Sequence, residues 1–90
     1  MDMRRDSKAE AVQGEGLDSL VGKQVLLFCL NYIYLGKLIE VSESFVRLEK
    51  PSIVYDTGPF STPEYTDVQP LHTCTWYVQR TAIESFGLGK

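Results

Sequence analysis

The chain is predicted to be all-β, a small and strongly bent five-stranded antiparallel barrel preceded by a short N-terminal helical turn. Three observations predict it. Between Leu20 and Glu49, three runs rich in Val, Ile, Leu, Phe and Tyr are separated only by turn-prone breaks, around Asn31 and around Ser42 to Ser44. The first run, Val25 to Leu30, is apolar at nearly every position, so both its faces must be covered, as in a curved sheet wrapped over itself. Beyond a stretch that holds all four prolines, Leu71 to Gln79 and Ala82 to Phe86 supply two further short strands.

Residues 1–16 are polar and show no sustained periodicity, which predicts a disordered tail, with residues 17–90 forming the folded domain. Leu17, Leu20 and Val21 are spaced to share one face of a single helical turn that closes one end of the barrel, and Gly22 ends it. In the first strand Val25, Leu27 and Cys29 form one face, and Leu26, Phe28 and Leu30 the other. Asn31-Tyr32 is the turn, and Gly36 marks a sharp bend or close backbone approach within the second strand. The third strand carries Val46 and Leu48 inward, with Phe45, Arg47 and Glu49 outward.

The connection from Pro51 to Pro70 contains Ile53, Val54, Tyr55, Phe60 and Tyr65 and is too apolar for an idle linker. It is read as an extended, Pro-rich hairpin whose arms prolong the third and fourth strands. In the fourth strand Trp76 and Tyr77 fall on opposite faces, so one of them faces outward, as at a subunit contact. Arg80-Thr81 turns the chain into the fifth strand.

Ninety residues make one domain, and a chain of this length buries only about 60–70% of the surface its unfolded form exposes. With 43% hydrophobic residues, apolar surface is left over for a partner, most simply a second copy. The net charge of −3 divides into three basic against four acidic residues in 1–16, and six against eight in 17–90. Neither part is a basic nucleic-acid tail, which argues against strong non-specific DNA binding. Cys29 and Cys74 lie in apolar strand-like runs without metal or redox spacing and are read as buried free thiols. The first residues lack the apolar run of a signal peptide, and no stretch is long enough to span a bilayer. A soluble, cytoplasmic protein is expected.

The pattern resembles the Sm and Sm-like RNA-associated proteins. The first motif of that family is similar to Leu20-Val21-Gly22-Lys23-Gln24-Val25 and the alternating Leu27 and Cys29, followed by Asn31, Gly36 and Leu38, and then Phe45-Val46-Arg47-Leu48. The second is similar to Val78-Gln79-Arg80-Thr81-Ala82-Ile83. The resemblance implies a short helix followed by a bent five-stranded barrel, assembled into a homo-oligomeric ring by pairing the fourth strand of one subunit with the fifth of the next. Trp76 and Tyr77 would then lie on one side of the subunit contact, with Ile83 and Phe86 on the other. It also implies single-stranded RNA binding by loops around a central pore, with Phe45 to stack a base and Arg47, Arg80 and the neighbouring Thr81 at the phosphates; such stacking is worth roughly 1–3 kcal/mol per base.

Three positions depart from the family pattern. Ser42 or Glu43 stands in place of an Asp, Arg47 or Val46 in place of an Asn that reads a base edge, and Thr81 in place of a Gly. A β-branched residue at Thr81 disfavours positive φ and predicts a turn of different shape. A second reading therefore stands beside the first: a homo-oligomeric barrel for scaffolding or protein interaction, without Sm-type RNA binding. No Ser, His and Asp arrangement, P-loop or dinucleotide motif is present, His72 has no ligand partner at metal spacing, and Glu40, Glu43 and Glu49 read as solvated carboxylates. The chain is expected to be non-enzymatic, with no cofactor, metal, membrane or small-molecule substrate.

Overall fold

The computed structural model describes residues 16–90, so the predicted tail lies, apart from Gly16, outside the described residues. A single 3-10 turn, Leu17–Leu20, leads into β1 (Gln24–Cys29), β2 (Ile33–Val41), β3 (Phe45–Asp56), β4 (Asp67–Pro70) and β5 (Thr75–Gln79). A second 3-10 turn, Arg80–Ala82, then leads into β6 (Ile83–Leu88). All six strands join one antiparallel sheet in the order β4-β3-β2-β1-β6, with β5 also on β3. The all-β class and the order of elements agree with the sequence reading.

Two points differ. The predicted fourth strand, Leu71 to Gln79, is extended only from Thr75 (β5), and the hairpin arm read as prolonging it is a separate strand, β4. The strand with its arm is thus split in two, and there are six strands instead of five. The sheet is also not closed, because β5 stays on β3 while β6 crosses to β1. The split has a local cause. Lys50 is the one described non-glycine residue with positive φ, 51°, and it places an extra residue in β3, since Leu35 pairs Ser52 while Lys37 pairs Glu49. Opposite this bulge the neighbouring segment between β4 and β5 leaves the ladder for residues 71–74. It remains tied by Leu71 N–H to the Pro51 carbonyl (2.9 Å) and by Lys50 N–H to the Cys74 carbonyl (3.3 Å).

Strand pairing puts directly opposed residues on one face. The inner face gathers Val25, Leu27, Leu38, Val46, Leu48 and Val78 into the main core, with Leu17 of the first turn buried against them. Leu26, Leu35 and Val54 form a second cluster on the opposite face, covered in part by Phe28, Ile33 and Tyr65. β1 is therefore covered on both sides, as its unbroken apolar run requires. Gly36 sits at the β2 register shift, and a Cβ there would lie 3.2 Å from both the Glu49 carbonyl and the Leu48 Cβ, the close approach expected of it. The fifth predicted strand runs further than expected, through Gly87 to Leu88, because Gly87 pairs with Leu26 in β1.

Left-handed backbone at a residue with a side chain costs about 1–2 kcal/mol, partly offset in glycine by its greater unfolded-state freedom. Lys50→Gly is expected to raise stability by about 0.5–1 kcal/mol in urea unfolding. A loss of stability would show that the Lys50 side chain, not the backbone, holds the bulge.

Candidate functional site

The outer face of β3 and β5 carries the residues singled out for RNA. Phe45 pairs across the ladder with Gln79, and Arg47 with Tyr77. The half-buried Phe45 ring meets the Tyr77 ring edge-on, with centroids 5.3 Å apart and planes at 76°. Arg47 lies beside them, but its Nε donates to Glu40 Oε1 at 2.8 Å, from the β2 residue directly opposite. That pairing follows from a second register shift in β2, between Leu38 and Glu40, which turns Glu40 to the outer face.

Arg80 reaches the same corner from the other side. Its Nη1 donates to the Ser42 carbonyl at 2.8 Å and its backbone N–H to the Ser44 carbonyl at 2.9 Å, which staples the β2–β3 turn to the β5–β6 turn. The β2–β3 turn is closed by Ser42, whose hydroxyl donates to the Phe45 carbonyl and accepts from the Phe45 N–H. Thr81 lies within the 3-10 turn and is exposed. No positive φ occurs there, in keeping with a β-branched residue at a position where the family resemblance implies glycine. Phe45, Arg80 and Thr81 therefore share one corner. Arg47 is on the same face but is held by a carboxylate.

The residues proposed for subunit contact take different places. Tyr77 is outward and 59% exposed, whereas Trp76 and Val78 face inward, opposite Leu48 and Val46. Ile83 packs on the main core. Phe86 and Leu88 pair with Leu27 and Val25 and so belong to the inner face as well, yet they remain 41% and 60% exposed because the sheet stays open beside them. Trp76, 36% exposed, stands at the opposite open edge.

Between β5 and the β1–β2 turn lies a cleft of about 340 Å³ lined by Cys29, Tyr32, Tyr34 and Trp76 among others. The Tyr32 and Tyr34 rings are tilted by 55° at 6.1 Å. Burial pushes the Tyr34 hydroxyl pKa up, and the Trp76 indole N–H beside it offsets part of that rise. Burial likewise raises the Cys29 thiol, with a further rise from the Glu84 carboxylate. The sequence reading did not assemble this cleft. Its signal is the alternation of Tyr32 and Tyr34 around the turn, but only the approach of β5 gives it a second wall.

The expectation of two buried thiols is corrected. Cys29 is half-buried and Cys74 is exposed, because Cys74 falls in the irregular 71–74 segment instead of within a strand. Among the described residues no group of three His, Cys, Asp or Glu converges as a metal site, no polar side chain is buried, and no helix is long and apolar enough to cross a membrane. Compared with protein-family models, curated proteins and solved structures, the chain matches none.

The thiolate is the nucleophile in thiol labelling, so a raised pKa and partial burial both slow it. A disulfide reagent at pH 8 is expected to label Cys74 first and Cys29 markedly later. Equal rates in the Cys29→Ser and Cys74→Ser variants would contradict this placement.

Proposed function

We propose that the chain is an Sm-like barrel subunit that self-associates head to tail through its two free sheet edges, forming a homo-oligomeric ring that serves as a scaffold. The observation that carries the reading is the pair of open edges, with inner-face aromatic and aliphatic side chains exposed on both: Trp76 on β5, and Phe86 and Leu88 on β6. The edges are matched in length at five and six residues. Addition of one copy's β6 to the next copy's β5 would satisfy both rows of unpaired backbone groups and cover these side chains. Such a contact is heterologous, so it closes as a ring where the rotation permits. The leading 3-10 turn, the register shift and close approach at Gly36 and the stapled β2–β3 and β5–β6 turns support the Sm-like reading of the sheet.

A second reading adds single-stranded RNA. Tyr77 is well exposed beside Phe45, and Arg80 holds the adjoining corner, so an aromatic plane and a cation lie together on each copy. A ring would repeat this weak site and gain avidity despite the acidic subunit. The tie between Arg47 and Glu40 favours the scaffold reading, since it withdraws one of the cations.

Light scattering with native mass spectrometry is expected to give one discrete multimer, and Phe86→Lys or Trp76→Lys is expected to reduce it to monomer with the fold intact. A monomeric wild-type chain at micromolar concentration sinks the edge-to-edge assembly. For the RNA reading, affinity for a short uridine-rich strand should fall with salt and be lost in Phe45→Ala and Arg80→Ala. An absence of binding at low salt leaves the scaffold alone.

A further inference from the structure

The loop between β3 and β4, residues 57–66, closes around the ammonium group of Lys90. Lys90 Nζ donates to three backbone carbonyls, Thr57 at 2.5 Å, Glu64 at 2.7 Å and Pro59 at 2.8 Å. The Tyr65 and Phe60 ring centroids lie 4.9 and 5.1 Å from the same nitrogen, so the cation also meets two aromatic rings. A primary ammonium has three N–H donors, and here each has a carbonyl. Among the described residues no carboxylate takes part, since Glu64 offers its backbone oxygen. Recognition therefore rests on donor geometry and ring electrostatics.

The loop also has bracing of its own, which shares the Pro59 carbonyl with Lys90. Gly58 N–H donates to Asp56 Oδ1 at 2.9 Å, and Thr62 donates to the Pro59 carbonyl through its N–H at 3.2 Å and its hydroxyl at 3.0 Å. The chain is also led to the loop along a narrow path. Gly89 N–H continues the β1 ladder onto the Gln24 carbonyl, and a Cβ at Gly89 would come within 2.9 Å of Leu35 Cδ1 and 3.3 Å of the Tyr65 hydroxyl. Lys90 N–H then donates to that hydroxyl at 2.8 Å. A side chain at Gly89 would have to displace Leu35 Cδ1 to pass between Leu35 and Tyr65.

We propose that the 57–66 loop is a binding site for a primary alkylammonium group, filled in cis by Lys90, and that its occupant holds the Pro-rich hairpin against the end of β6. The ligand class is R–NH3+. An anion meets only carbonyl oxygens and ring faces there, and a quaternary ammonium brings no N–H to the three carbonyls. The site stands independently of self-assembly, since every contact lies within one chain.

The test uses the full chain carrying Lys90→Met, which keeps an unbranched stem and removes the charge. Hydrogen exchange of the 57–66 amides is expected to speed by about ten- to a hundredfold, the scale of losing charge-assisted hydrogen bonds, while amides of β1 and β2 keep their protection. Methylammonium chloride is expected to restore protection saturably, whereas tetramethylammonium, potassium and sodium chloride at the same ionic strength do not. Unchanged loop exchange in the variant overturns the latch. Equal restoration by tetramethylammonium, potassium or sodium overturns the assignment to a primary ammonium, and a loss of protection spread evenly through β1 and β2 makes Lys90 a general stabiliser instead of a hairpin latch.

Discussion

The extra residue at Lys50 is the constraint on which the rest of the sheet depends. β1 is apolar on both faces, so it needs cover on both, and β3 is the strand long enough to serve each face in turn. Up to Leu48 its inward residues fill the main core; beyond the bulge the alternation is reversed, and Val54 joins Leu26 and Leu35 on the other side. Without the reversal Val54 would turn to the main-core side and its neighbour Ile53 would take its place on the second cluster. The cost is a left-handed backbone at a residue with a Cβ and a break in the partner strand over residues 71–74. Both irregularities lie side by side, so one local adjustment accounts for the bulge, the split strand and the exposure of Cys74.

Reversal also directs the hairpin. Past the bulge, β3 and β4 form a ladder from Ser52–Pro70 to Asp56–Asp67, and the loop beyond it returns to lay Tyr65 on the second cluster. The loop then meets the residues that follow β6. The two ends of the sheet are thus linked through the Lys90 ammonium, while the edges of β5 and β6 remain free of each other. Apolar side chains at those edges, Trp76, Phe86 and Leu88, are left exposed. In so small a domain, covering them by association is the direct way to remove them from water.

Charge is handled by pairing. Arg47 is taken by Glu40, Arg80 by the Ser42 carbonyl and Lys90 by the loop carbonyls, so three of the cations spend their donors on holding turns and strands in place. The outer face that remains is aromatic and polar, with Tyr77 as its most exposed ring beside Phe45. Such a surface suits stacking or protein contact better than tracking a phosphate chain, for which free cations are needed.

Residues close together in the chain were legible from the chain alone. The period of two in Val25–Cys29 and Val46–Leu48, the turn at Asn31, the need for Gly36 and the extended arms of the Pro-rich hairpin all rest on local spacing and backbone preference, and these determined the all-β class and most strand positions. The candidate corner was legible in part: Phe45, Arg80 and Thr81 come together because two turns meet, whereas the fate of Arg47 turned on a one-residue shift in β2 that no local pattern announces. Only the tertiary structure decided which strand would be split, which edges would stay open, and that Lys90 would find carbonyls 26 to 33 residues away. The reason is physical: an alternating strand specifies its own two faces, but its partner and register are chosen by the combined burial of every strand in the sheet.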